Sequence, residues 1–345
     1  MAYVGSYSYT GKAKGITVYD VDVEAGKFIY RCEVEVDNSS YLKSSQNGKI
    51  LYSIADEGVV AFRVLPNGSL ARLNSAKIKG MRGCHLSTSK ADDYIFISGF
   101  HDGKITVLHL NEDGSVGDIA DGVFHKGLGS VAERSFRPHV SCSRLTPDER
   151  FLMVADLGID QIKVYRFDHK DGKIALVDTI RCELESAPKY FMFSSDGRFF
   201  YVLYEMKNVI EVYSYKEGER VPIVEKIQTI SSTGSKPNQL TAACAMHFSP
   251  DEKHVFCSNA GDNTVSMYDR DDETGMLTLR FCLPISGDYP KDIAIFPGGE
   301  HLASINHEGS ISFFKIDYEK GLLVMSDRSI KVNEPNCCEI VKIGD

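Results

Sequence analysis

An all-β, seven-bladed β-propeller is the fold this sequence predicts, on three observations. The first is a recurring pattern: a small turn such as Pro-Asp or Asp-Gly, a β-rich run, a second turn, and a β-rich run ending in an aromatic and an Asp. It reads Thr146-Pro147-Asp148-Glu149-Arg150, then FLMVAD, LGIDQ and IKVYRFD, and it returns from Ser195-Asp196-Gly197-Arg198 and from Ser249-Pro250-Asp251-Glu252-Lys253. The second is its period. Anchored on Asn47, Asp92, Asp148, Asp196, Asp251 and Gly298, successive copies lie 45, 56, 48, 55 and 47 residues apart. A period of about 40–50 residues with several strands per unit marks a propeller blade. The third is what remains at the two ends.

In chain order, the runs 2–7 and 15–20 form a strand pair that is too short for a sheet of its own. Weaker copies of the repeat follow at Asn47-Gly48-Lys49 and Lys90-Ala91-Asp92-Asp93, then the three strong copies, then one at Pro297-Gly298-Gly299-Glu300. The C-terminal apolar run 338–343 is again too short alone. Joined to residues 2–20 it completes a seventh blade, which removes the exposed edge an open ring would leave. Seven blades of about 50 residues account for the chain, so residues 1–345 read as one domain. Gly, Asp and Asn fill the turns, as hairpins between twisted strands require. The stretches 124–135 and 229–238 read as longer inter-blade connections, where function often resides.

Composition narrows the function. No apolar run reaches the ~18 residues of a membrane helix, and MAYVGSYSYTGK lacks the basic-then-apolar order of a secretory signal. Nine scattered cysteines without paired zinc spacing read as free thiols of a reducing cytoplasm. The net charge of −9 argues against a nucleic-acid or membrane-surface partner, since phosphate backbones select basic faces. No glycine-rich phosphate loop sits at a strand–helix junction, so no nucleotide site is expected.

In a propeller blade the first strand lies beside the central channel and precedes the tight hairpin. The start of strand one and the end of strand two therefore share one mouth of the channel. The starts supply Arg82, His85, His139, Lys189 and Lys291; the ends supply Asp156, Glu205, Asn259, Asn306 and His307. Blade interiors elsewhere are Val, Ile, Phe and Tyr, so one face collects the polar chemistry, which suits a small polar ligand.

These residues resemble the lactonase family of seven-bladed propellers, which includes 6-phosphogluconolactonases and carboxy-muconate lactonising enzymes, along the whole chain. Tyr3-Val4-Gly5-Ser6-Tyr7 with Gly15-Ile16 is similar to the family's opening YVGTYT…GI, Ser40-Tyr41-Leu42 to its PSYL, and Cys84-His85 to its CH. The sharpest stretch runs from Arg134 through Pro138-His139 to Phe151-Leu152-Met153-Val154-Ala155-Asp156-Leu157-Gly158, Asp160 and Val164-Tyr165. Ala242-Ala243 through Phe248-Ser249-Pro250-Asp251 to Ser258-Asn259 resembles its AA…SPDGRFLYVSN. There are departures. The family's GPRH is Ala187-Pro188-Lys189-Tyr190 here. Its NE is Tyr204-Glu205, its SNRG is Ser258-Asn259-Ala260-Gly261, the second His of PHxH is Ser141, and the PR of the last full blade is Pro290-Lys291. Arg and Lys are not equivalent where an anion is gripped bidentately.

The resemblance implies a hydrolase acting on a sugar-acid lactone, 6-phosphogluconolactone in particular. Such chemistry needs a base for water and a cation for the developing oxyanion. His139 is the expected base, because an unperturbed imidazole titrates near ~6.5. Lys189 is the expected cation and Glu205 the orienting carboxylate. Arg82, Arg134 and Lys291 would neutralise a phosphate; His85, Asp156, Asn259, Asn306 and His307 complete the expected substrate contacts. Each has a plainer role: His139 can tie a loop to a backbone carbonyl, Glu205 can bridge to Lys189 or Lys207, the lysines can be solvated rim charges, and the asparagines can cap turns. Three other functions compete. A propeller released from its ancestral chemistry would bind a small ligand or a protein, since fold alone decides no function. A metal site from His85, His101, His139 and His307 lacks any short ligand spacing. A lyase or cycloisomerase acting on a muconate-type diacid needs strong cationic grips, against which the missing arginines count. The sequence thus leads to a cytoplasmic lactonase with no cofactor or metal and a small-molecule lactone as partner, of undetermined oligomeric state.

Overall fold

The computed structural model describes residues 1–129, 136–234 and 237–343. Its repeating unit follows from turn chemistry. The Ser194 hydroxyl donates to Asp196 Oδ1 at 2.6 Å, and the same oxygen accepts the Arg198 amide at 3.0 Å. Ser249, Asp251 and Lys253 repeat this at 2.6 and 3.2 Å. Asn47 takes the Asp's part between Ser45 and Lys49, at 2.9 Å to each. A short polar side chain that bonds the backbone two residues on closes a turn without tertiary help. The following residue is left-handed: Gly48 and Gly197 take it freely at φ 68° and 70°, while Glu149 and Glu252 adopt φ 56° and 54° at some cost.

Each turn joins the first two strands of a four-stranded antiparallel sheet, and seven such sheets are described. Blades 1 to 6 begin with Leu42–Ser44, His85–Thr88, Val140–Leu145, Pro188–Phe193, Ala242–Phe248 and Pro290–Ile295. Blade 7 runs in the order Pro335–Ile340, Ala2–Ser6, Gly15–Asp22, Lys27–Glu35. The Met1 α-amine adds a 2.8 Å bond to the Val341 carbonyl. The seventh blade is therefore closed by both termini. Its closing strand spans 335–340, three residues before the apolar run 338–343 at each end, and Lys27–Glu35 is its outer strand. The expected connection 229–238 begins later than the sequence suggested, because residues 229–231 still belong to the strand Ile223–Ser231.

Second strands such as Phe151–Asp156, Phe199–Tyr204 and His301–Asn306 are buried at every residue. Both faces of each sheet pack on neighbouring blades, so these strands read as continuous apolar runs rather than alternating ones. The core is accordingly a circle of seams. Ile54, Leu86 and Ile97 join blades 1 and 2; Met153, Phe191 and Val202 join 3 and 4; Val4, Phe296 and Ile305 join 6 and 7; Tyr3, Ile16 and Leu51 join 7 and 1. All nine cysteines are free thiols. Among the described residues there is no helix long and apolar enough to cross a membrane.

Candidate active site

A β-bulge near the start of the first strand shapes the mouth. In blade 3 Val140 pairs with Asp156 and Cys142 with Ala155, so Ser141 drops out of register. The same happens to Lys189 between Pro188 and Tyr190, to Cys244 between Ala243 and Ala245, to Lys291 between Pro290 and Asp292, and to Asn336 between Pro335 and Cys337. A bulge re-aims one side chain out of the ladder. Five adjacent blades thus turn Ser141, Lys189, Cys244, Lys291 and Asn336 toward one end of the channel.

Two of the five are lysines with opposite surroundings. Lys189 Nζ donates to Glu205 Oε2 at 2.6 Å, and both side chains are largely buried. Burial alone would lower this ammonium, but the Glu205 carboxylate overrides it and holds Lys189 well above the ordinary lysine value. Lys291 has no carboxylate partner among the described residues. Its ammonium donates to Asn336 Oδ1 at 2.6 Å and Tyr7 Oη at 3.4 Å, and lies 4.7 Å from the centre of the Tyr7 ring. Burial first, then the Lys189 cation, lower it to about 8, and Arg82 adds a smaller effect in the same direction. Arg82 also approaches the Tyr7 ring, at 4.8 Å, and pairs with Asp56 at 3.0 Å. Burial raises the thiols beside the lysines, Cys84 to about 12, so they are protonated at neutral pH.

His139 is fixed two residues before the blade 3 bulge. Its Nδ1 is 2.7 Å from the Phe100 carbonyl, which can only accept, so Nδ1 carries the proton and the lone pair of the neutral ring sits on Nε2. The ring stacks on Phe100, 4.3 Å between centroids. Its backbone amide donates to Asp156 Oδ1 at 2.7 Å. Gly158 closes in from below: a Cβ there would lie 1.9 Å from the Arg137 carbonyl oxygen and 2.8 Å from His139 Cδ2.

The other expected residues divide. Glu205 and His307 each follow the last residue of a second strand and stand at the mouth. His307 Nδ1 donates to the Pro335 carbonyl at 3.2 Å, its ring packs edge-on to Tyr7, and burial and Lys291 lower its pKa. Asp156, Asn259, Asn306 and His85 are buried, and contacts within the protein occupy them. Asp156 accepts from the His139 and Gly158 amides and pairs with the wholly buried His125 at 2.7 Å. Asn259 donates to Ser232 O at 2.9 Å and Asn306 to Ser286 O at 3.2 Å. His85 approaches Cys142 Sγ and the Ser143 amide, and burial lowers its pKa far below the ordinary value. These four brace the wall instead of lining it, because each is paired within its ladder, Asp156 with Val140, Asn259 with Ala243, Asn306 with Pro290 and His85 with Ser98. Arg134 lies outside the described residues. Sequence reasoning missed Asn336 and Tyr7, which lie on the terminal blade where no turn motif marks the register, and His125, whose pairing with Asp156 has no local signature.

The departures from the family pattern are also occupied. The Tyr190 hydroxyl accepts from Arg144, Ser141 Oγ donates to the Pro188 carbonyl at 3.0 Å, and Ala260 is buried opposite Ala242. A separate groove of about 820 Å³ opens on the opposite face, among Asn47, Arg63, Asp92, Asp113 and Lys342. It shares no residue with the mouth. No group of three or more His, Cys, Asp or Glu suited to a metal is found among the described residues.

The chain's relatives fit this picture. The family model "Lactonase, 7-bladed beta-propeller" matches residues 1–340. A 6-phosphogluconolactonase of Bacillus subtilis (strain 168) is 26% identical over 348 residues, covering 99% of this chain and 98% of that one. A solved structure from Bacteroides fragilis NCTC 9343, assigned as a 6-phosphogluconolactonase, superposes with a TM-score of 0.89 at 30% identity, covering 99% of this chain and 97% of the other. The periplasmic gluconolactonase of Pseudomonas aeruginosa superposes at 0.91 with 23% identity over 99% of each chain, a likeness of fold. This chain belongs to the lactonase family of seven-bladed β-propellers.

Proposed function

We propose that this protein hydrolyses a sugar-acid lactone bearing an anionic group, with 6-phosphogluconolactone the foremost candidate. One observation carries the reading: two lysines at equivalent bulges of one mouth, one held by Glu205 and the other without a carboxylate partner among the described residues. One cation with a carboxylate partner and one without among the described residues suit a substrate with two centres of negative charge, the oxyanion that forms at the carbonyl and a permanent anion at the far end. His139 Nε2 takes a proton from water as that water attacks the lactone carbonyl. Lys189 stabilises the oxyanion, Glu205 fixes Lys189, and the ring C–O bond then breaks as His139 returns the proton to the leaving alkoxide. Lys291 and Arg82 receive the anion, with Arg134 the remaining candidate for that part.

The test is hydrolysis of a panel of phosphorylated and plain aldonolactones, corrected for spontaneous opening. The phosphorylated lactone should be opened fastest, and His139→Asn should cost about a hundredfold in turnover. Full activity in His139→Asn sinks the mechanism. The ties at Tyr190 and Ser141, where the family has histidines, favour a second reading as a binding module. Anion binding without turnover of any lactone would select it.

A further inference from the structure

Lys291 combines features that substrate binding alone does not require. It is a half-buried amine pressed against the Tyr7 ring, which the Arg82 guanidinium also approaches at 4.8 Å, with no carboxylate partner among the described residues. Its nearest partner, Asn336, is 3% exposed. The amide oxygen of Asn336 accepts from Lys291, but its Nδ2 is buried with no acceptor at all. An orphaned buried donor costs on the order of 1–3 kcal/mol and calls for an explanation. A cationic setting with a spare N–H donor beside an amine is the setting for an anion built on that amine.

We propose that the Lys291 amine reacts reversibly with carbon dioxide to form a carbamate, held by Asn336 Nδ2 and by the charges of Lys189 and Arg82. The neutral Nζ lone pair attacks the carbon of CO2, an N–C bond forms, one C–O π pair becomes the carboxylate charge, and one N–H proton leaves to solvent. No oxidant or reductant is needed. The product converts Lys291, which has no carboxylate partner among the described residues, into a carboxylate beside cations, and gives Asn336 Nδ2 its acceptor. Desolvated lysines beside other cations are the ones that supply a neutral, nucleophilic amine near physiological pH. The groups facing Lys291 are Lys189, Arg82, Cys244, Cys337, Tyr7 and His307; of these the thiols and the phenol stay protonated near neutrality and do not compete as counter-ions. The inference does not rest on lactone hydrolysis. It implies that carbon dioxide and an anionic ligand exclude each other at this residue.

The experiment is 13C NMR of the full chain at pH 8 in 13C-labelled bicarbonate. Native protein should give one saturable carbamate resonance approaching one equivalent, above the weak background of surface lysines and the N-terminus. Lys291→Arg should lower it at least tenfold, because a guanidinium is not nucleophilic, while Lys189→Arg should retain it. Asn336→Asp, which supplies Lys291 with a carboxylate and keeps it charged, should also suppress it and serves if Lys291→Arg fails to fold. Equal resonances in native protein and both Lys291→Arg and Asn336→Asp, or no saturable resonance, overturn the proposal whatever the outcome of the lactone assay.

Discussion

Replacing Lys291 with Met should stabilise this protein at neutral pH, although it removes a residue placed in the binding mouth. The ammonium titrates at about 8 in the folded chain and near ~10.4 when unfolded. The folded pKa is the lower one, so below pH 8 the unfolded state holds this proton more tightly and folding carries the full penalty. Stability is recovered as pH rises from 8 through the unfolded value, where both states lose the proton. The gap corresponds to roughly 3 kcal/mol. Lys291 is only half-buried, so water screens part of this, and about 2 kcal/mol is the working expectation. With an unfolding entropy of about 2.1 cal/mol/K per residue, a chain of 345 residues should gain ~3 °C in melting temperature.

The assay is paired thermal or urea unfolding of native and Lys291→Met protein at pH 7 and above pH 10.5. Taking the difference at each pH cancels the titration of the tyrosines and thiols. Met is one atom shorter and leaves Asn336 Oδ1 without its donor, a loss that does not change with pH, so the pH-dependent part reports the charge. The gain should be present at pH 7 and vanish at the alkaline pH. An effect of the same size at both pH values would refute the view of Lys291 as a desolvated ammonium without a carboxylate partner among the described residues.

The remaining predictions concern the same mouth. Affinity for the hydroxy-acid product, measured by calorimetry, should fall about tenfold between pH 7 and pH 9 as Lys291 loses its proton, and Lys291→Arg should flatten that dependence. Lys189→Met strips a cation from the buried Glu205 and should cost about 2 kcal/mol in urea unfolding, a cost that Lys189→Arg avoids. Gly158→Ala forces a Cβ against the Arg137 carbonyl and the His139 ring; a loss of ~1–3 kcal/mol is expected, with turnover reduced more than the unfolded fraction explains.

The fold was legible because its determinants are local. A hydroxyl or amide that closes its own hairpin, as at Ser194–Asp196 and Ser249–Asp251, writes the repeat into the chain as Ser/Thr, Pro and Asp. Strands buried on both faces write it again as FLMVAD and FFYVLY. The terminal blade was legible only in outline, since Ala2–Ser6 pairs with Pro335–Ile340 across the whole length of the chain and no turn motif fixes that register. Lys189, Glu205 and Lys291 stand off the ladder at the mouth as their positions in the repeat suggest, whereas Asp156, Asn259 and Asn306 do not, for one reason. The latter three pair opposite Val140, Ala243 and Pro290, so their side chains are committed to blade walls. The former three sit on bulges or one residue beyond a strand, where the ladder releases them. A polar residue near a strand end is thus a weak sign of a lining position; its place relative to the bulge decides, and a bulge leaves little trace in a single sequence.

The exchange of arginine for lysine at position 189 has a consequence for the whole mouth. An arginine there could grip Glu205 with one edge of its fork and offer the other edge to a ligand. Lysine is a point charge, and here the charge is turned on Glu205 at 2.6 Å. On the proposed reading, the permanent anion of the substrate then falls to a cation not so engaged, and Lys291 is the lysine at an equivalent bulge without a carboxylate partner among the described residues. Keeping that cation available costs stability, because an ammonium without a counter-ion is what burial penalises. On the proposed reading, a lysine maintained at such a cost is kept for what it binds.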